Sequence, residues 1–187
     1  QMIDSVATAV QDMKSFEKVA QRAGLQDSFK PGRYDFTPDK SNKELVRMLR
    51  LGWETPMMLT LSGNIRGLEK LSGILGKKLA ADSSAFMECF SHADIWSYNG
   101  FQQQTFMAMF LPNTYEVYWT ITPEKFVERM KKEYEKFWNT ERTAKAAQIG
   151  LTPQEVSVLA SIVCEETNYG PEMPRVAGVY MNRLKKG

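Results

Sequence analysis

Histidine is almost missing from this chain, with His92 the only one in 187 residues. A His-rich metal site or a Ser-His-Asp triad would have to depend wholly on that residue. It sits in the polar stretch FSHAD, where a capping or surface role is the ordinary reading. Cysteine is scarce too: Cys89 and Cys164 lie far apart, form no CxxC pair, and read as free thiols. No apolar run approaches the ~20 residues a membrane span needs. The opening QMIDSVATAVQDM is too polar for the core of a signal peptide, so any export signal or anchor of the natural protein is expected outside this chain. An excess of one charge is also lacking, since 24 Lys and Arg against 22 Asp and Glu leave +2. Basic and acidic residues alternate in EKFVERMKKEYEKFWNTERTAK, the pattern of a solvated helix face rather than a nucleic-acid stripe. Internal repeats and low-complexity segments are absent.

What the chain does have is enough apolar material for a core, 43% hydrophobic against 25% charged. That suits one globular domain or two small ones. Apolar positions at Ile3, Val6, Val10, Met13, Phe16, Val19 and Ala20 predict a helix over 3–23. KPGRYDFTP predicts a turn, a short strand alternating at Tyr34 and Phe36, and a second turn. Ser41 or Asn42 can cap a helix that stops at Gly52, and TPMMLTLSG predicts another strand. Residues 1–62 thus read as a small βαβ-type unit. A glycine-weakened helix follows over 64–80, then short helical pieces over 82–109. LPNTYEVYWTIT reads as a turn and an extended stretch. A long helix begins on Thr122 and Pro123, with a break near Asn139 and Thr140. Thr152-Pro153-Gln154-Glu155 is a capping box with proline at the first helical position, so a helix should run from Pro153 to about Thr167. A last helix should begin near Pro171 or Pro174 and reach Lys186. The fold class is α+β.

That penultimate helix carries a run as apolar as VSVLASIV straight into two glutamates. At 100° per residue, Val156, Leu159, Ala160 and Val163 cluster on one side, with Ser157 and Ser161 opposite. Glu166 projects between Leu159 and Ile162, whereas Glu165 falls toward Ser161 and can reach water. The projection therefore aims Glu166 at the packed interior or a cleft. A carboxyl group held against hydrocarbon favours its neutral form, the state a general acid needs. The competing reading pairs Glu166 with Arg175 or Arg183 as a structural ion pair, and spacing alone leaves both open. Of Trp53, Trp96, Trp119, Trp138, Tyr115 and Tyr118, most should be core, and Tyr115 is kept as a cleft candidate.

The closing stretch LASIVCEETNYGPEMPRVAGVYMNRLKKG resembles the signature of the YceG-like endolytic murein transglycosylases, the MltG family: ASIV-x-x-E-T, a variable turn, then V-A-x-V-hydrophobic-N-R-L-x-x-G. FKPGRYDFTPDKSNKELVRMLRLG resembles the strand and helix of the family's LysM-like region. LPNTYEVY resembles its (F/L)-P-D-T-Y motif, with Asn113 where aspartate is usual. Cys164 stands where many relatives carry another acid. The resemblance implies a LysM-like subdomain over 1–62, incomplete at its N-terminal edge, and a mainly helical YceG-like catalytic domain over 63–187 whose C-terminal portion is missing. It implies a lytic transglycosylase, a lyase, with Glu166 catalytic and Asn182 and Arg183 near the substrate, Arg183 either binding substrate or holding Glu166. Neither metal nor organic cofactor is implied. Peptidoglycan glycan strands are the implied substrate, and penicillin-binding-type cell-wall synthases are implied partners. The implied location is the outer side of the cytoplasmic membrane, held by an anchor upstream of this chain. This piece alone is expected to show little or no activity. Two other functions remain in view: a non-catalytic peptidoglycan-binding module, and a pyridoxal-phosphate-dependent aminodeoxychorismate lyase. The second would need a glycine-rich phosphate loop beside a buried lysine, and none is evident.

Overall fold

The computed structural model describes residue 10 and residues 12–186. The start of the helix expected over 3–23, including Ile3 and Val6, lies outside the described residues. Its remainder is α1 (Met13–Arg22), capped by Asp12, which accepts from the Ser15 amide at 3.1 Å. A single turn, α2 (Leu25–Ser28), follows. Ser41 rather than Asn42 caps α3 (Asn42–Leu51), forming a capping box with Glu44. The helix stops at Gly52, whose φ of 70° is the left-handed conformation glycine adopts without strain. These helices meet over a small core of Val10, Phe16, Leu25, Leu45, Val46, Met48 and Leu49.

The strand expected around Tyr34 and Phe36 does not form a ladder. The segment lies beside residue 55, with the Thr55 amide donating to Arg33 O at 2.8 Å and the Asp35 amide donating to Thr55 Oγ1 at 3.2 Å. Pro31, Pro38 and Pro56 remove the backbone donors that would extend that pairing.

The strand expected in TPMMLTLSG is β1 (Met57–Leu61), but its partner comes from far along the chain. It pairs antiparallel with β2 (Asn113–Val117), with Leu59 opposite Tyr115. Leu59, Leu61, Tyr115 and Val117 point inward and are buried, while Met58, Thr60, Thr114 and Glu116 face outward. β1 therefore belongs to the second core and not to a βαβ unit ending at residue 62. The change of core falls between Leu49 and Leu59.

This larger core is closed by α4 (Gly67–Lys78), α5 (Ser83–Ser91), α6 (Ala93–Tyr98), a 3-10 turn (Phe106–Met109) and α7 (Pro123–Phe137). Phe86, Phe90, Phe106, Phe110 and Phe126 interlock at its centre, with Phe110 stacked on Phe126 at 6.1 Å between ring centroids. Gly76 lets α4 and α5 approach, because a Cβ there would lie 2.2 Å from the Ser83 nitrogen. That glycine is a packing requirement, not only a weak point in its helix. The long helix breaks where expected. Asn139 caps α8 (Thr140–Gln148) by accepting from the Arg142 amide at 3.0 Å. The chain closes with α9 (Pro153–Glu166) and α10 (Met173–Lys186). The architecture is α+β, mostly helical around one two-stranded sheet. No helix among the described residues is long and apolar enough to cross a membrane.

Candidate active site

The site is built on the pair α9–α10. Thr152 starts α9 by accepting from the Glu155 amide at 3.2 Å, and the Glu155 carboxylate accepts from the Thr152 amide at 2.7 Å. That amide, and after it the Thr152 hydroxyl donating to the same carboxylate oxygen at 2.9 Å, hold the Glu155 carboxyl below the usual glutamate range. At the other end Thr167 leaves the helix with extended backbone. Its hydroxyl donates to Glu172 Oε2 at 2.7 Å and accepts from the Tyr169 amide at 3.1 Å. This knits the turn that brings α10 back alongside α9.

The return places Tyr180 beside Glu166, and the phenol O–H donates to Glu166 Oε1 at 2.6 Å. That bond to the carboxylate is the main reason the Tyr180 phenol is pushed above its ordinary value, with desolvation and the Glu166 charge adding to it. The Arg183 guanidinium lies over the Tyr180 ring, 5.4 Å from its centroid, and acts in the opposite direction. Tyr180 and Arg183 are three residues apart and share a helix face, so carboxylate, phenol and guanidinium form a continuous row. Asn182, two positions from Tyr180, falls on the other side of α10 and is exposed. Glu165 turns away and pairs with Arg66, tying the end of α9 to the residue before α4.

Three sequence expectations need correction. Glu166 is not packed into an interior: it is exposed, and of its apolar neighbours on α9 only Val163 is buried, while Val156, Leu159 and Ile162 are half-buried. The projection identified the apolar side of the helix. It could not reveal how thinly other elements cover that side. The ion-pair alternative also fails in detail, because Tyr180 rather than Arg175 or Arg183 reaches the carboxylate among the described residues. Tyr115 is not a cleft residue. Its inward register in β2 leaves it 3% exposed, its O–H donates to Leu111 O at 2.6 Å, and burial pushes the phenol up to about 12.

His92 is exposed at the junction of α5 and α6 and caps through its backbone only. Cys164 is exposed, whereas Cys89 is buried and its thiol is pushed up to about 11, mainly by desolvation. Tyr180, whose hydroxyl reaches Glu166, was not among the residues singled out from the sequence. A phenol differs from other apolar side chains in carrying a donor that needs a partner, and that was the available signal.

A model of the YceG-like family matches residues 4–187. Among solved structures, the chain is similar to a 2.6 Å crystal structure of a protein from Listeria monocytogenes described as YceG-like, with a TM-score of 0.55 and 15% identity. The likeness covers 95% of this chain and 63% of the Listeria chain, and at that identity it concerns the fold alone. No curated protein matches.

Proposed function

The chain belongs to the YceG-like family, and from that premise we propose that it forms part of an endolytic peptidoglycan lytic transglycosylase with Glu166 as its acid–base group. The observation that carries this reading is Glu166 itself: it ends α9 with one oxygen engaged by Tyr180 and the carboxylate open to an incoming strand.

In this mechanism Glu166 protonates the oxygen that links MurNAc to GlcNAc as the C1–oxygen bond breaks through an oxocarbenium-like state. The carboxylate then accepts the proton of the MurNAc 6-hydroxyl as that oxygen closes onto C1. The product is a 1,6-anhydro sugar. No water is consumed, so a second carboxylate to activate one is not needed. Because α9 leaves Glu166 exposed, the shielding that favours a protonated acid has to come from the bound glycan, which excludes water as it seats. In this reading Arg183, on the Tyr180 face of α10, meets a carboxylate or acetamido group of that strand, whereas Asn182, on the opposite side of α10, lies away from Glu166 and has no part in the step. Nascent glycan strands outside the cytoplasmic membrane are the substrate in this reading, and cell-wall synthases its partners.

The exposure of Glu166 also supports a second reading, a glycan-binding or interaction module without turnover. One experiment separates them. Full-length protein is incubated with purified glycan strands and the ends are analysed by mass spectrometry. Anhydro-MurNAc ends, lost by about 10²–10⁴-fold in Glu166→Gln, are the expected result. Reducing ends would mean hydrolysis, and strands that are bound but uncut in both proteins would favour the module.

A further inference from the structure

We propose that Tyr180 is a positioning residue for Glu166, engaging Oε1 so that Oε2 is the oxygen that delivers the proton to the glycosidic bond. The inference rests on Glu166 being the acid.

An exposed glutamate in the last turn of a helix has three rotatable side-chain bonds and little packing to restrain them. General acid catalysis needs the proton within hydrogen-bond reach of the leaving oxygen, and a displacement of about 1 Å can cost on the order of 10²-fold in rate. The phenol at 2.6 Å supplies the missing restraint, because it sits on a rigid ring carried by the adjacent helix. The ring is itself flanked by the Arg183 guanidinium at 5.4 Å.

A phenol has a single O–H, so it engages one carboxylate oxygen and leaves the other. Oε2 has no hydrogen-bond partner among the described residues. Raised above its ordinary value, the phenol stays protonated at neutral pH and remains a donor throughout the cycle. In the first half-reaction the Oε2–H bond breaks, an O–H bond forms on the departing sugar, and the C1–oxygen pair leaves with it. In the second, the 6-hydroxyl proton returns to Oε2 as the O6–C1 bond forms. Tyr180 neither gains nor loses a proton.

The test compares Tyr180→Phe and Glu166→Gln in the full-length protein, with folding checked by circular dichroism. Tyr180→Phe is expected to lower kcat by about 10–100-fold with KM changed by less than about 2-fold. A second readout does not depend on turnover. The ultraviolet phenolate titration of Tyr180, obtained by difference against Tyr180→Phe, should move down toward the ordinary tyrosine value in Glu166→Gln. A merely structural tyrosine would show no such coupling. Wild-type kcat in Tyr180→Phe alongside an inactive Glu166→Gln would overturn the positioning role and leave the acid assignment standing. An active Glu166→Gln would overturn the acid assignment and this inference together.

Discussion

The core around β1 and β2 and the α9–α10 pair treat their apolar residues in opposite ways. Phe86, Phe90, Phe101, Phe106, Phe110 and Phe126 are all at most 6% exposed. On the helix pair, Val158, Val179 and Leu184 are 44–66% exposed. The first region is held by interlocking side chains, each packed on several others. The pair reaches the rest of the molecule in part through polar contacts, such as Glu165 with Arg66 and the Gln154 side chain donating to Gly100 O at 3.3 Å. Acid–base chemistry on a polymer needs access, and the α9–α10 pair is thinly covered by hydrocarbon. Under the proposed function, stability and reactivity would fall to different parts of the chain.

The contrast is tested most strongly by paired truncations. Phe90→Ala should destabilise the protein by about 3–5 kcal/mol, through lost burial and the cavity left among its ring neighbours. Against a typical total of about 5–15 kcal/mol, that is a steep drop in thermal midpoint. Val179→Ala, half exposed on α10, should stay within about 0.5 kcal/mol of wild type. Equal losses in thermal unfolding would mean that the helix pair is as tightly packed as the core.

A smaller effect addresses the start of α9. Thr152→Ala removes the N-cap and should cost about 1 kcal/mol, seen as faster amide exchange in α9 with little change in α5 or α7. The partner Glu155 gives this cap a pH dependence of known sign. Its carboxyl titrates lower in the folded chain than unfolded, so its contribution is complete above the ordinary value of 4.5 and is lost as pH falls through the folded value. Uniform loss of protection across all helices in the variant would show that α9 does not open on its own.

Much of the fold was legible because its signals were local. The cap at Ser41 or Asn42, the capping box at Thr152, the proline after Thr122 and the break at Asn139 each act within one turn, and each marked an element correctly, with Ser41 the residue that caps. The pairing of β1 with β2 was not legible, because it joins residues that are distant in sequence and no local pattern names a strand's partner. Glu166 was singled out by helical angle, which is local. Its exposure depends on what covers the helix, which is not. Tyr115 failed for a related reason. Tyrosine suits both a sugar platform and a sheet interior, and only the register shows that it points inward.

The two thiols extend the comparison into the alkaline range, where the effect on stability is the smallest. Cys164 is exposed on α9, and Cys89 is buried in α5 against the large core. A disulfide reagent at neutral pH should therefore modify one thiol promptly and the second only as the protein unfolds. Burial raises the Cys89 thiol from 9.0 to about 11, with the Glu124 charge adding to the effect. Because the neutral form is the one the fold favours, its contribution is whole below pH 9 and is lost as pH rises toward 11. Cys89→Ala should accordingly flatten the decline in thermal midpoint between those two values, whereas Cys164→Ala should leave it unchanged. A steep decline that survives in Cys89→Ala would assign the alkaline sensitivity elsewhere, with the buried phenols of Tyr115 and Tyr134, both pushed up to about 12, as the next groups to test.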